Sequence, residues 1–224
     1  MKNFSRSIFL VVFTFAYLQC HAQNPCAQGE AYRGCKACGT AQSIKGKRLN
    51  VQKNRSTQAT APSKLTVAEI RKPANNNAFS PSQQVWVVGY VASIDKGGFQ
   101  ETCNCDRDDL RDIHINIVAD PSEVNDKTKY VVVEITPRWQ PKFSLDDSDY
   151  DAMLAKVTHQ LKHKWVRFEG WMLYDYVHEK EAKSTAPANV PTCKDDGTDP
   201  DICVWRGTPW EVHPVTKYAV VPNP

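Results

Sequence analysis

The chain contains imidazole and carboxylate side chains of the types that bind a divalent metal. Zinc in a catalytic site takes three protein ligands and keeps water in the fourth position, where the metal lowers the pKa of that water. The candidate imidazole ligands are His114, His178 and His213, and the candidate carboxylate ligands are Asp112, Glu134 and Glu211, of which Glu134 and Glu211 are also candidate catalytic bases. Such a zinc-type site would suit hydrolysis of a phosphodiester or an ester.

The spacing of these residues leaves a structural interpretation open. No His-x-x-x-His or His-Glu-x-x-His motif is present, so the ligands would have to converge from separate strands. Glu134 and His114 could instead form a cross-strand pair, and His213 before Pro214 could hold a loop. The chain also has no nucleophile elbow, P-loop or dinucleotide-binding fingerprint.

The elements that must position these residues are predicted in the C-terminal part of the chain. Strands are predicted at 85–94, 112–119, 130–136, 166–176 and 210–221, with one helix at 145–164 between the third and fourth strands. Ser144 is the predicted N-cap of that helix. In the second strand the isoleucines alternate with polar residues, so one face is expected to be apolar and the other polar.

Three strands, a helix and two strands are the order of a five-stranded oligonucleotide/oligosaccharide-binding (OB) barrel, a mainly β fold. Gly89 and Gly170 lie inside predicted strands and fit the sharp coiling of a small barrel. A split β-sandwich with one helix is the alternative architecture. The second and third strands form the ligand face of an OB fold. The residues expected on or beside that face are Asp112, His114, Asn116 and Trp210.

Residues 1–22 have the features of a secretory signal peptide. A positive start is followed by an apolar run at 8–18, which is shorter than the roughly 20 residues that span a bilayer. The sequence Cys20-His21-Ala22 predicts cleavage after Ala22, and acylation of Cys20 as a lipoprotein is the alternative. We therefore expect a secreted or periplasmic protein without a transmembrane segment.

Cleavage would leave seven cysteines, and disulfides are expected in an oxidising compartment. Cys193 and Cys203 enclose a short polar loop and are expected to pair with each other. A bridge between Cys103 and Cys105 would be strained, so these two are expected to reach the N-terminal cysteines, with at least one cysteine left over. The alternative is a structural zinc site. Its ligands would be Cys35, Cys38, Cys103 and Cys105.

Charge divides the chain into a basic and an acidic part. Residues 23–82 are predicted to be a largely irregular arm with one helical turn at 65–70, followed by the OB-like domain at 83–224. The window 33–72 contains ten Lys or Arg opposed only by Glu69, a net charge of +9, whereas residues 73–224 contain 16 Lys or Arg and 23 Asp or Glu, a net charge of −7. An acidic barrel favours a cation over a phosphate backbone. The basic arm could bind a polyanion or be a solvated tether.

Four segments carry a resemblance to a group of proteins. They are 49–55 with Leu49-Asn50 and Asn54-Arg55, 101–105 (ETCNC), 112–114 (DIH) and 210–214 (WEVHP). In these segments the chain resembles the small, exported, uncharacterised OB-like proteins of bacteria such as the Bacteroidetes. The resemblance implies a fold and a compartment, and it carries over no activity.

These patterns together predict an exported, disulfide-stabilised OB-fold binding module. Its expected ligand is a divalent cation, a polar glycan or a protein partner on the face of the second and third strands. A zinc-type hydrolase is the alternative function. Binding of nucleic acid or another polyanion by the basic segment 33–72 is the second alternative.

Overall fold

Six strands and three α-helices are present in the computed structural model, which describes residues 24–27, 29–145, 148–194, 200 and 202–224. The strands are β1 (Ser63–Lys64), β2 (Gln84–Lys96), β3 (Ile113–Val118), β4 (Val131–Ile135), β5 (Trp165–Tyr174) and β6 (Trp210–Val220). The helices are α1 (Ile44–Lys53), α2 (Val67–Arg71) and α3 (Tyr150–Leu161). The predicted signal peptide at 1–22, including Cys20, lies outside the described residues.

Strands β2 to β6 close into a barrel. The first half of β2 pairs with β5 and its second half pairs with β3, both antiparallel. Strand β3 pairs antiparallel with β4, β4 runs parallel to β6, and β6 pairs antiparallel with β5, which closes the sheet. The predicted mainly β, OB-like barrel is confirmed, with the short strand β1 added alongside β2.

Close approach of two strands explains the predicted bend in β2. A Cβ atom at Gly89 would lie 2.8 Å from the Cβ of Ile117 on β3, a distance that real Cβ atoms do not adopt. Tyr90 is the residue of β2 that pairs with both β3 and β5. The missing side chain at Gly89 therefore lets β2 coil tightly where it changes partners.

The barrel core is formed by the side chains that point inward, which alternate along the strands with side chains that point outward. Ile113, Ile115 and Ile117 of β3 are fully buried, as the period of two predicts. Each such side chain contributes about 1.5–3 kcal/mol relative to an exposed one. Trp210 also lies in this core, with its ring 5.0 Å from that of Tyr174.

Helix α3 is shorter than predicted. Its N-cap is Asp149, whose carboxylate accepts a hydrogen bond from the amide of Ala152 at 3.0 Å. The predicted cap, Ser144, instead adopts a left-handed conformation (φ 56°) and ends the short 3-10 turn Pro141–Phe143. The buried stripe of α3, Met153, Val157 and Leu161, packs against the barrel core.

The N-terminal segment is more ordered than the sequence predicts, because it contains α1 as well as α2. Helix α1 includes Gly46 and few apolar residues, so its pattern is weak. Ser43 caps its N-terminus by accepting a hydrogen bond from the amide of Gly46. Asn54 at its C-terminus donates to the carbonyl of Cys103 at 2.7 Å. Tertiary contacts of this kind attach the segment to the barrel.

Three disulfides are present among the described residues. Cys193 pairs with Cys203, as predicted, and the other bridges are Cys26–Cys38 and Cys35–Cys105. The four-thiolate zinc site is wrong, because three of its proposed ligands, Cys35, Cys38 and Cys105, are oxidised. Cys103 is the free cysteine of the described chain. The disulfides fit an oxidising compartment.

None of the helices within the described ranges is both long enough and apolar enough to cross a membrane.

Candidate metal centre

The outward face of the barrel carries a polar cluster that spans three strands. His114 on β3 and Glu134 on β4 are register partners, and His114 Nε2 lies 3.4 Å from Glu134 Oε1. Glu211 on β6 pairs in register with Val132 of β4. Alternation along each strand therefore places these polar side chains on the face opposite the apolar core.

The same face also carries a buried ion-pair network around His213. His213 Nδ1 lies 3.0 Å from Glu134 Oε2 and 3.2 Å from Glu211 Oε2. Glu211 Oε1 in turn accepts a hydrogen bond of 2.6 Å from Arg206. Arg206, Glu211 and His213 are completely buried, so each charge depends on its partners for stabilisation.

The network favours the charged forms of its central pair. Burial lowers the pKa of His213, but the facing Glu134 and Glu211 outweigh it and raise that pKa to about 10. Burial likewise opposes ionisation of Glu134, but His114 and His213 hold its pKa below the ordinary value. An imidazolium therefore lies between two buried carboxylates at neutral pH.

Asp112 precedes β3, and its carboxylate has no hydrogen-bond partner among the described residues. Its side chain is buried, with 1% exposure, and neither oxygen accepts a hydrogen bond from any residue of the described chain. Burial, together with the negative charges of Glu101 and Glu134, raises its pKa well above the ordinary value. Its backbone is fixed, because its carbonyl accepts hydrogen bonds from Gly97 N and from the Tyr150 hydroxyl.

An open cleft of about 460 Å³ gives access to this cluster. Its polar lining includes Lys53, Glu101, Cys103, His114, Glu134 and His178. The side chain of His114 is 16% exposed, so it connects the cleft to the buried network. Small-molecule binding sites are clefts of about this volume, and they combine apolar walls with a few polar groups.

Helix α1 supplies one wall of the cleft. Lys53 Nζ lies 2.7 Å from Asp175 Oδ2, and His178 Nδ1 lies 3.2 Å from the same oxygen. Burial opposes the charge of Lys53, but Asp175 raises its pKa well above the ordinary value. One of the ten basic residues of the window 33–72 is therefore a buried partner of the barrel.

Four groups of described residues have ligand atoms within 4.8 Å of one another and could hold a metal. They are Glu101–Cys103–Asp112, Asp112–His114–Glu134, Glu134–Glu211–His213 and Asp175–His178–Glu211. Each predicted histidine ligand belongs to a different group, so no group contains a pair of them. Successive groups share one residue, first Asp112, then Glu134 and then Glu211. The four groups therefore form one connected cluster of side chains that can bind metals.

Of the residues expected on the ligand face, Trp210 lies elsewhere, and Asn116 lies on that face but away from the cleft. Trp210 lies in the core, because alternation along β6 turns its neighbour Glu211 outward. Asn116 donates hydrogen bonds to Ser93 and Asp95 in a separate depression of the same face. The N-terminal segment also covers part of this face. The pattern of the barrel strands alone does not predict this contact.

Four members of the site were not predicted: Lys53, Glu101, Cys103 and Arg206. Glu101 and Cys103 are two residues apart in the run ETCNC, whose cysteines were predicted to form disulfides or to bind a structural zinc with Cys35 and Cys38. The clustering of a carboxylate with a thiol there was the available signal. Lys53 and Arg206 carry no such signal, because each reaches the site from a distant segment.

No protein-family model matches the chain, and no curated protein matches it significantly.

Proposed function

We propose that the barrel is a binding module that takes a divalent cation in its cleft through Asp112, His114 and Glu134. The observation that carries the proposal is the buried carboxylate of Asp112, which lacks a hydrogen-bond donor among the described residues and lies beside two further ligand atoms. Buried carboxylates are normally paired, hydrogen-bonded or bound to a metal. A cation would supply the partner that Asp112 lacks.

Two of the other candidate groups, Glu134–Glu211–His213 and Asp175–His178–Glu211, already contain or contact cationic side chains. Glu134 and Glu211 surround the imidazolium of His213, and Glu211 also binds Arg206. Asp175 is paired with Lys53. In the group that contains Asp112, the side chains of His114 and Glu134 line the cleft, and Asp112 is buried beside them. The group's mixed nitrogen and oxygen ligands suit zinc or manganese.

The test is a calorimetric titration of the full chain with Zn²⁺ and, separately, Mn²⁺. Wild type is expected to bind at least one equivalent, and Asp112→Asn is expected to lose about tenfold or more in affinity. Asp120→Asn is the matched control, because that carboxylate is exposed and caps a short turn away from the cleft. Absence of binding to wild type, or equal affinities of wild type and Asp112→Asn, would refute the proposal.

A metal-dependent hydrolase is the second candidate function. The observation that favours it is a pair of neighbouring carboxyl groups with opposite pKa shifts, Asp112 raised and Glu134 lowered, which is how enzymes separate an acid from a base. Glu134 lines the cleft and is the candidate base, whereas Glu211 is completely buried and positions His213.

Hydrolysis is tested with a chromogenic phosphodiester and a chromogenic ester in the presence of Zn²⁺. Turnover by wild type that is lost in Glu134→Gln, measured at Zn²⁺ concentrations that saturate the variant, would support the hydrolase. Turnover equal in both proteins would assign the activity to free metal or contamination.

Polyanion binding by the segment 33–72 is the third candidate function. Lys36, Arg48 and Lys72 are exposed, which favours it. Lys53 is buried against Asp175, and Arg55 stacks on Trp171, so part of the positive charge serves the fold. Binding of the full chain to heparin that weakens steeply with salt would support this function.

Export of the protein and its relation to the Bacteroidetes-type proteins stay predictions.

A further inference from the structure

The cleft contains a second set of ligand atoms directly beside the proposed cation site. Oxygens of Glu101 and Asp112 and the sulfur of Cys103 lie within 4.8 Å of one another. This second set shares Asp112 with the set formed by His114 and Glu134. The two sets therefore meet at one carboxylate.

Glu101 faces both sets. Its Oε1 accepts a hydrogen bond of 2.7 Å from the amide of Gly98 and lies 3.8 Å from His114 Nε2. Its Oε2 accepts a hydrogen bond from the thiol of Cys103 at 3.4 Å. The backbone contact fixes one oxygen of Glu101, while the other accepts a hydrogen bond from the Cys103 thiol, whose proton a metal would displace.

Cys103 is held beside the cleft as a thiol by the surrounding structure. Its neighbour in sequence, Cys105, is joined to Cys35, and the carbonyl of Cys103 accepts a hydrogen bond from Asn54. The thiol is buried and lines the cleft. A thiolate favours zinc and other soft cations over magnesium or calcium.

Asp112 provides the bridge between the two sets. Both of its oxygens are buried and lack a hydrogen-bond donor among the described residues, and its carboxylate belongs to both sets. Paired metal ions in proteins lie about 3.5–4 Å apart, a span that one bridging carboxylate covers.

We propose that the cleft binds two divalent cations bridged by Asp112, one held by His114 and Glu134 and the other by Glu101 and Cys103. The proposal rests on the proposed cation site and extends it to a dinuclear, zinc-selective centre. Binding of the second cation replaces the S–H bond of Cys103 with a metal–sulfur bond, and the proton passes to solvent. Zinc binding is therefore accompanied by proton release.

The test uses the full chain with its disulfides intact and Co²⁺ or Zn²⁺ as the probe. Wild type is expected to bind two equivalents, and the Co²⁺ form is expected to show a near-ultraviolet thiolate-to-cobalt charge-transfer band. Cys103→Ser and Glu101→Gln are expected to bind one equivalent, and Cys103→Ser is expected to lose the band. Asp120→Asn serves as the control and should retain both equivalents.

The possible outcomes separate the two proposals. One equivalent in wild type, without the charge-transfer band and unchanged in Cys103→Ser, overturns the second cation and leaves the first site standing. No binding in wild type overturns both. If Cys103→Ser does not fold, two measurements on wild type decide the question. They are the charge-transfer band and the protection that Zn²⁺ gives the Cys103 thiol against an alkylating reagent. Absence of both would overturn the dinuclear centre.

Discussion

His114 Nε2 lies 3.4 Å from Glu134 Oε1, and these two residues are direct register partners on β3 and β4. The contact joins the solvent-accessible cleft to the buried network, because the other oxygen of Glu134 faces His213 at 3.0 Å. A ligand that binds His114 would therefore alter the electrostatic interaction between Glu134 and the buried His213. The same arrangement of His114 and Glu134 is a cross-strand pair and, in our proposal, part of a cation site.

Removing the imidazolium from the network should destabilise the fold. In His213→Gln, Glu134 and Glu211 lose the positive charge between them and remain buried. Breaking a buried pair by removing one partner costs about 3–5 kcal/mol of unfolding free energy. Urea unfolding at neutral pH measures this cost. His159→Gln, on the exposed side of α3, is the control and should lie within about 0.5 kcal/mol of wild type.

Stability should also fall as pH rises above neutrality. The pKa of His213 is about 10 in the folded protein, against an ordinary value of 6.5. A raised pKa means that the folded state holds the proton more tightly, so this contribution is complete below about pH 6.5 and is lost as pH rises through about 10. Urea midpoints measured from pH 6 to pH 10 should decline in wild type. An equally steep decline in His213→Gln would contradict the assignment.

The metal-free protein should become more stable when Asp112 is replaced by Asn. The raised pKa of Asp112 means that the folded state retains a proton that the unfolded chain releases near neutral pH. Stability that depends on this proton is lost as pH rises above the ordinary Asp value, and Asn removes the dependence. Thermal unfolding in a chelator at pH 8 should show a higher midpoint for Asp112→Asn, and the gain should shrink at pH 5. Added Zn²⁺ should stabilise wild type more than the variant.

The disulfides Cys35–Cys105 and Cys193–Cys203 should differ in their contribution to stability, because they close loops of different length. Cys35 and Cys105 are 70 residues apart, whereas Cys193 and Cys203 are 10 apart. Chain-entropy reasoning assigns about 4.4 kcal/mol to a loop of the first size and about 2.8 kcal/mol to one of the second. Paired Cys→Ser variants compared by urea unfolding should follow that order. The reverse order would show that native contacts, and not loop closure, set the contribution of these bridges.

Local patterns were sufficient to predict the barrel. The alternation of Ile113, Ile115 and Ile117 and the sequence order of strands and helix specify an OB-like arrangement, because burial of one strand face leaves few ways to close the sheet. Helix α1 escaped prediction because its own residues have a weak pattern. Its formation depends on hydrogen bonds such as that from Asn54 to Cys103, which join segments far apart in sequence.

The sequence by itself determined the strand order, the polar face of β3 and the pairing of Cys193 with Cys203, because each depends on contacts between near neighbours or on strand periodicity. Only the tertiary structure decided which polar residues meet. It separated the three histidines into different groups, turned Trp210 into the core and brought Lys53 and Cys103 to the cleft. The reason is physical: the charge state of a buried group such as Asp112 depends on partners from remote segments, and local spacing contains no information about them.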